Sequence, residues 1–499
     1  MMKKWMTLLL AAAMLTGMTG CGGGDTAETL AANTDTAEDT TETAAETEDP
    51  AEADELPTDI SYDGYTFTVL SHDHPDTAIA WKVADIYTEE LNGERINDAV
   101  FERNLAMADR FDVQIAQNLQ EKPSTIADQL ISAGDDAFDL LQTNTQDQCS
   151  FVVKGYLMDM AQMDYINFDK AWWDSTAIDG ITIGDKVYYA IGDSMLNGKK
   201  ATWVVLFNKM LTGNAGLPDL YSLVKEGGWT LDKLNQFGEQ IVQDVDGDGV
   251  MTWGTDVYGI GLQHEVVLPL LLGDGSKLIG MNADGSYKYN MNSPAIVDAM
   301  EQIWNFLHSG MHILNCNDYD GKLNNQWSDF RTLFMSDQIG FYMGHLGTVT
   351  LVGGDMNSDF GVLPFPKLDE AQAEYYSTFQ YNNAHAVSVP KTAGDLTRTG
   401  LLTEAYEMFS HFTVLPAYYD YTLTFRSARD TASGEMLDII FGSRNFDISL
   451  AFNHTTGMQT FLQDTGSKDK SFSYASKEAS NKTKVTTAMD KILEAIEAN

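Results

Sequence analysis

Between Asp359 and Lys391 two short apolar runs each end in a proline and a lysine. They are Phe360-Gly361-Val362-Leu363-Pro364-Phe365-Pro366-Lys367 and Ala384-His385-Ala386-Val387-Ser388-Val389-Pro390-Lys391. Aliphatic and β-branched residues favour strands, and proline donates no ladder hydrogen bond, so each run reads as a strand with a marked end. The connection between them, Leu368 to Asn383, is polar and aromatic. Two strand ends joined by an open connection fit a crossing between two structural units, the hinge of a two-lobed protein. Phe360 to Pro366 is then expected to finish the second lobe's sheet, and His385 to Val389 to return the chain to the first. Gln380 to Asn383, Asn382 included, fall at the cleft floor as hinge or ligand contacts.

A chain of 499 residues is too long for one core and fits two interleaved lobes plus tails. Its formal net charge of -42 argues against a nucleic-acid or anionic-membrane surface, both of which reward Lys and Arg. Cys149 and Cys316 stand far apart with no metal-ligand spacing and read as small packed residues; whether they pair is left open. Cys21 is different. Lys3 and Lys4 precede the apolar segment Met6 to Leu15, far short of the ~20 residues that span a bilayer, which predicts a secretion signal over 1–20. The signal runs into Met18-Thr19-Gly20-Cys21-Gly22, which resembles the bacterial lipobox, with Met18 where Leu is usual. Cys21 is therefore the expected lipidation site. Gly22 to Pro57 lacks Lys and Arg and is rich in Thr, Ala, Glu and Asp, so 21–58 is expected to be a disordered acidic tether.

The body opens with an alternating strand pattern at Tyr65 to Leu70, a helical pattern at Arg95 to Arg110, a strand at Phe111 to Ile115, a helix at Ile126 to Ser132 and a buried-type strand at Phe138 to Thr143. That order predicts a mainly parallel sheet with right-handed crossovers. Loops at strand C-termini line the ligand crevice of such sheets, which brings forward His72 and Asp73, and Asn144 and Gln146. A second α/β unit is predicted from near Ile191. It contains a strand at Thr202 to Asn208, a helix after the N-cap Thr230, a helix at Ala295 to Gly310 and a strand at Gln338 to Gly344. Helices are expected at Leu401 to Leu415 and Thr483 to Ala498.

In order and spacing the chain resembles the extracellular solute-binding proteins of bacterial ABC importers, in the large maltodextrin-binding-like family. The resemblance is carried by Phe111-Asp112-Val113-Gln114-Ile115, Asp139-Leu140-Leu141, Gly155-Tyr156-Leu157-Met158-Asp159-Met160, Val187-Tyr188-Tyr189-Ala190-Ile191, Leu206-Phe207-Asn208-Lys209, Trp229-Thr230 and the two proline-ended runs. It implies a periplasmic-binding-protein-like α/β fold of type II, with two lobes joined by crossing strands. The first lobe would take 59–188 and 384–425, the second 189–379 and 430–499, with hinges near 188–191, 379–384 and 425–430. It also implies a monomeric, non-catalytic receptor that hands a solute, by preference a sugar or oligosaccharide, to permease subunits. A surface hydrolase or adhesin, or a receptor for peptide or cationic solutes, stands as the alternative.

Asp244-Val245-Asp246-Gly247-Asp248-Gly249-Val250 has carboxylates at loop positions 1, 3 and 5 and Gly at 6, the pattern of a calcium loop. Position 12 is Thr255 rather than Glu, so the expected ligands of a structural Ca2+ are Asp244, Asp246, Asp248, Val250 and Asp256. His72-Asp73-His74 has poor metal spacing and reads as a polar ligand-contact loop. A sugar offers an apolar C–H face and a rim of hydroxyls, so its receptors stack it on aromatic rings and bond the rim with polar side chains. Trp81, Trp172, Trp173, Tyr188 and Trp327 are the aromatic candidates. The family order adds Gln263, Glu265 and His345 at second-lobe cleft loops, and Arg426 near the last crossing. The chain carries no Gly-x-Ser-x-Gly, P-loop or His-Glu-x-x-His motif, so abundant carboxylates alone do not make it an enzyme.

Overall fold

The computed structural model describes residues 54–498 except Ala283, Asn357 and 425–431. The signal segment, Cys21, most of the tether, the expected 425–430 hinge and Arg426 lie outside the described residues. β1 (Tyr65–His72), β2 (Val113–Gln120) and β3 (Leu140–Asn144) open the fold. They alternate with the helices Arg95–Phe111 and Pro123–Ala133, the latter closed by Gly134 in the left-handed region at φ 72°. β4 (Trp203–Asn208), β5 (Tyr258–Leu262), the hairpin β6 (Ile279–Met281) and β7 (Tyr287–Tyr289), β8 (Ile313–Asn315), β9 (Ile339–His345), β10 (Phe360–Leu363) and β11 (His385–Ser388) follow.

Two sheets result. The first runs β11-β3-β1-β2, parallel except for β11, and the second runs β10-β4-β9-β5-β8. The two proline-ended runs fall in different sheets, β10 antiparallel to β4 and β11 antiparallel to β3. Between them Trp203 N–H donates to Thr378 and Gln380 N–H to Ala201 on the second-sheet side, while Thr145 N–H reaches Ala384 on the first. The segment 378–384 is thus anchored to both sheets within a few residues. β4 and β9 are buried along their whole length, as continuous apolar runs covered on both faces should be. Gly259 lets the Leu231–Ile241 helix lie close on β5, since a Cβ there would stand 2.1 Å from the Gly238 carbonyl oxygen. That helix starts where the sequence put its cap: the Thr230 hydroxyl accepts from Lys233 N–H at 3.3 Å.

Three helices extend well beyond their expected starts, one of them beginning at Pro123 rather than Ile126. The last begins at Tyr474 rather than Thr483, because buried Tyr474 and Glu478 anchor a turn that carries no apolar periodicity to reveal it. The helix expected from Leu401 begins at Leu396, capped by the Asp395 carboxylate on Arg398 N–H. Cys149 and Cys316 are both buried and free. No helix among the described residues is long and apolar enough to cross a membrane.

Candidate functional site

A cavity of about 270 Å3 opens where the second sheet's strand ends face the segment that follows β1. Gln263 and Glu265 lie just beyond the end of β5, and His345 is the last residue of β9. Loops at the C-terminal ends of these two parallel neighbours are where such sheets collect ligands. Trp327 and Arg331 enter from the Gln326–Met335 helix, Ala80 and Trp81 from the 3-10 turn Asp76–Trp81, and Gln380 and Asn383 from the crossing segment. Trp81 and Trp327 also line an adjoining depression with Asn324, Asn325 and Gln326, so the two indoles stand where one hollow passes into the next.

Two buried polar atoms at the cavity make no hydrogen bond within the protein: Glu265 Oε2 and His345 Nε2. Each is an interaction that a bound polar group would supply, and leaving such atoms unpaired is costly. Burial, reinforced by the Asp320 carboxylate and opposed by Lys468, pushes Glu265 up to about 7. Burial alone takes His345 down to about 3, so its ring is neutral at pH 7. The ring lies 4.1 Å from Trp203 and 5.4 Å from Trp81, centroid to centroid, the latter edge-on. Polar hydroxyl partners, one carboxyl, one guanidinium and two indole faces are chemistry for a polyhydroxylated solute.

The structure brings Trp81, Gln263, Glu265 and His345 together, and Trp327 with them. Asn382 lies in the same crossing segment, flanked by the lining residues Gln380 and Asn383. It does not bring Trp172 and Trp173. Both are buried, and their indole N–H groups donate to Glu404 at 2.9 Å each, so their large surfaces pack the first-sheet side instead. Gln146 is buried and donates to Gln459, and Asn144 caps the following helix on Asp147 N–H and also bonds the Asp147 carboxylate. Both amides are consumed by structure rather than presented to the cavity. His72 ends β1 beside His74, and Asp73 faces Lys82 at 4.0 Å; neither lines the cavity. Sequence reading missed Arg331, whose helix follows Asn324 and Asn325, and Tyr342, three residues before His345 on β9, which no periodicity linked to the cavity.

The acidic loop lies apart from this cavity. Carboxylate oxygens of Asp244, Asp246 and Asp256 all fall within 4.8 Å of one another, and Asp256 is fully buried. Asp256 accepts from Val245 and Thr252 N–H, and Asp244 from Gly247 and Gly249 N–H. With about four lone-pair sites per carboxylate these bonds leave ligand capacity, so three oxygens fit a hard cation. Asp248 is not in the cluster: its Oδ1 accepts from its own turn at Val250 N–H, 2.7 Å. Val250 has its side chain in solvent and offers a backbone carbonyl, which accepts weakly from the Thr252 hydroxyl at 3.4 Å.

No family model and no curated protein matches the chain. Solved structures do. A sugar transporter protein from Rhizobium etli in an open conformation is similar with a TM-score of 0.53 at 14% identity, covering 87% of this chain and 100% of that one. An ABC transporter solute-binding protein from Thermotoga lettingae, bound with α-D-tagatose, gives 0.51 at 13% identity over 87% and 100%. An ABC substrate-binding protein from Listeria monocytogenes, in complex with cycloalternan, gives 0.50 at 16% identity over 86% and 98%. The body described by residues 54–498 therefore has the periplasmic-binding-protein-like α/β fold of type II that the solute-binding proteins of ABC transporters share.

Proposed function

We propose that the protein is the receptor of an ABC importer and captures a sugar or oligosaccharide for delivery to permease subunits. The observation that carries this reading is the cavity at the ends of β5 and β9, where two indoles flank two buried, unpartnered polar atoms. The carbohydrate ligands named for the Listeria and Thermotoga proteins support it. Mechanism follows from the lining: Trp81 comes from the segment after β1 and His345 from β9, with Gln380 and Asn383 between them on the crossing. A solute touching all of these interacts more strongly with the closed arrangement than with the open one, and that difference shifts the equilibrium toward closure. No step of bond cleavage is required of any residue.

The same reading makes the protein a monomeric, extracytoplasmic lipoprotein tethered at Cys21, with its acidic tether holding the body away from the membrane surface. It further gives Asp244, Asp246 and Asp256 the role of ligands to a structural Ca2+. A thermal-shift screen of the purified protein over sugars, peptides and cations tests the ligand class. An oligosaccharide that raises the melting temperature of the parent more than that of Trp81→Ala is the expected result; a response confined to peptides or cations would overturn the carbohydrate reading.

A further inference from the structure

We propose that His72, His74 and His385 form a binding site for a divalent transition-metal ion of the zinc class, separate from both the solute cavity and the acidic loop. The topology makes the cluster. β1 and β3 are parallel and β11 is antiparallel to β3, so the start of β11 lies at the same end of the sheet as the end of β1. His72 is the last residue of β1, His74 stands two residues on, and His385 is the first residue of β11. One ligand nitrogen from each ring falls within 4.8 Å of the other two.

The His74–His385 pair has the spacing of two ligands in one coordination sphere. Nε2 of His74 and Nε2 of His385 are 3.3 Å apart. Two imidazole nitrogens bound at about 2.0–2.1 Å to a tetrahedral ion stand about 3.3–3.4 Å from each other. His72 lies against His74 with centroids 3.8 Å apart and ring planes tilted by 35°, and is the partly exposed member, so it is the ligand with room to swing in. His385 is fully buried and its Nδ1 makes no hydrogen bond, which leaves the nitrogen facing His74 as its polar contact. Three imidazoles and one open position suit Zn2+, Co2+ or Cu2+ and not the oxygen-seeking Ca2+.

The site sits partly inside the protein: His74 and His385 are buried and His72 is half-buried. Lys200 and Lys82 are the cations near the site, and Lys200 is itself held below its ordinary value by burial. Asp147 and Asp73 face His72 with the opposite charge. An ion here would tie the turn that leads to Trp81 to the strand that follows Asn383, two segments that line the solute cavity.

A hydrogen bond shared between His74 and His385 fits the same separation, and titration with Co2+ separates the two. Chelator-treated full-length protein is expected to take up one equivalent of Co2+ with the intense visible bands of a tetrahedral site. His74→Gln and His385→Gln are expected to lose at least tenfold in Co2+ affinity, while His308→Gln, on the exposed stack against Trp304, retains it. Should the buried His385→Gln fail to fold, His72→Gln at the rim carries the same test, with circular dichroism melts reporting the fold. Absence of the visible bands, or folded His72 and His74 variants that bind Co2+ like the parent, would overturn the proposal.

Discussion

Trp81 meets His345 edge-on with ring centroids 5.4 Å apart, although one residue follows β1 and the other ends β9. The pair joins the two sides of the cavity, and Trp327 faces the same space. Removing an indole that stacks on a sugar ring forfeits about 1 kcal/mol or more, close to tenfold in affinity. Trp81→Ala and Trp327→Ala are therefore expected to weaken solute binding about tenfold each with melting temperatures near the parent's. Trp173→Ala is the contrast: it removes the indole donor to Glu404 Oε2, leaving only that of Trp172 on Oε1, and opens a void, so the melting temperature falls while affinity holds. Isothermal calorimetry alongside melting curves checks both, and equal affinity loss in all three variants would count against the site.

Glu265 gives the affinity a pH dependence. Its carboxyl is held up to about 7 by burial first, and its Oε2 has no partner in the protein. Hydroxyls of a bound solute donate to the ionised carboxylate and favour that form, so binding releases a proton wherever Glu265 is still protonated. Affinity is accordingly expected to rise between pH 6 and pH 8 and to level off above. Glu265→Gln should bind several-fold more weakly at pH 8 and lose the slope. Calorimetry at the two pH values in buffers of different ionisation heat decides it.

The fold was legible because its signals are local and repeated: Thr230 capped its helix, Gly134 closed another, and the proline-ended runs marked β10 and β11. In the cavity, Gln263, Glu265 and His345 were legible from the family order, Trp81 and Trp327 as aromatic candidates, and Gln380 and Asn383 from the crossing segment. Trp172 and Trp173 show the reason for the remainder. Adjacent tryptophans look like a stacking platform in one dimension, and only the long-range partner Glu404, 232 residues from Trp172, identifies them as core. Gln146 and Asn144 were likewise taken by Gln459 and by a helix cap, contacts that no spacing along the chain announces. The histidines divided the same way: His72 and His74 were visible together, but the third ring, on β11, arrives only through strand order.

Stability should fall as pH rises through the neutral range. Glu407 is fully buried and accepts from Ser194 N–H at 2.7 Å and Ser194 Oγ at 2.6 Å. Burial nonetheless dominates those bonds and, with the Asp193 and Glu404 carboxylates nearby, raises Glu407 to about 8. Glu404 is raised to about 7, also first by burial. A carboxyl raised in the folded state binds a proton that the unfolded chain gives up near its ordinary 4.5. Its contribution is complete below that value and is lost as pH climbs toward 8. Scanning calorimetry is expected to show a melting temperature several degrees lower at pH 8.5 than at pH 5, with a shallower slope in Glu407→Gln. Equal slopes in parent and variant would refute the assignment to Glu407.

The acidic loop yields a prediction with two signs. Asp246 accepts from the Asp248 backbone, which lowers its pKa, yet desolvation and repulsion from Asp248, Asp256 and Asp244 outweigh that bond and leave it raised. Without a cation the charge of Asp246 opposes folding, whereas backbone bonds from Gly249 and Gly247 favour that of Asp244, so Asp246→Asn in chelator-treated protein is expected to melt at or slightly above the parent temperature. With millimolar Ca2+ the order should invert. An ion that binds only the folded loop stabilises it by mass action, so the parent gains several degrees while Asp246→Asn and Asp256→Asn gain little. Mg2+, which demands tighter octahedral geometry and keeps its waters, should give a smaller rise. Melting curves of the parent that are identical with and without Ca2+ would leave the loop as an acidic turn, its carboxylates spent on the backbone N–H groups of Val245, Gly247, Gly249 and Thr252.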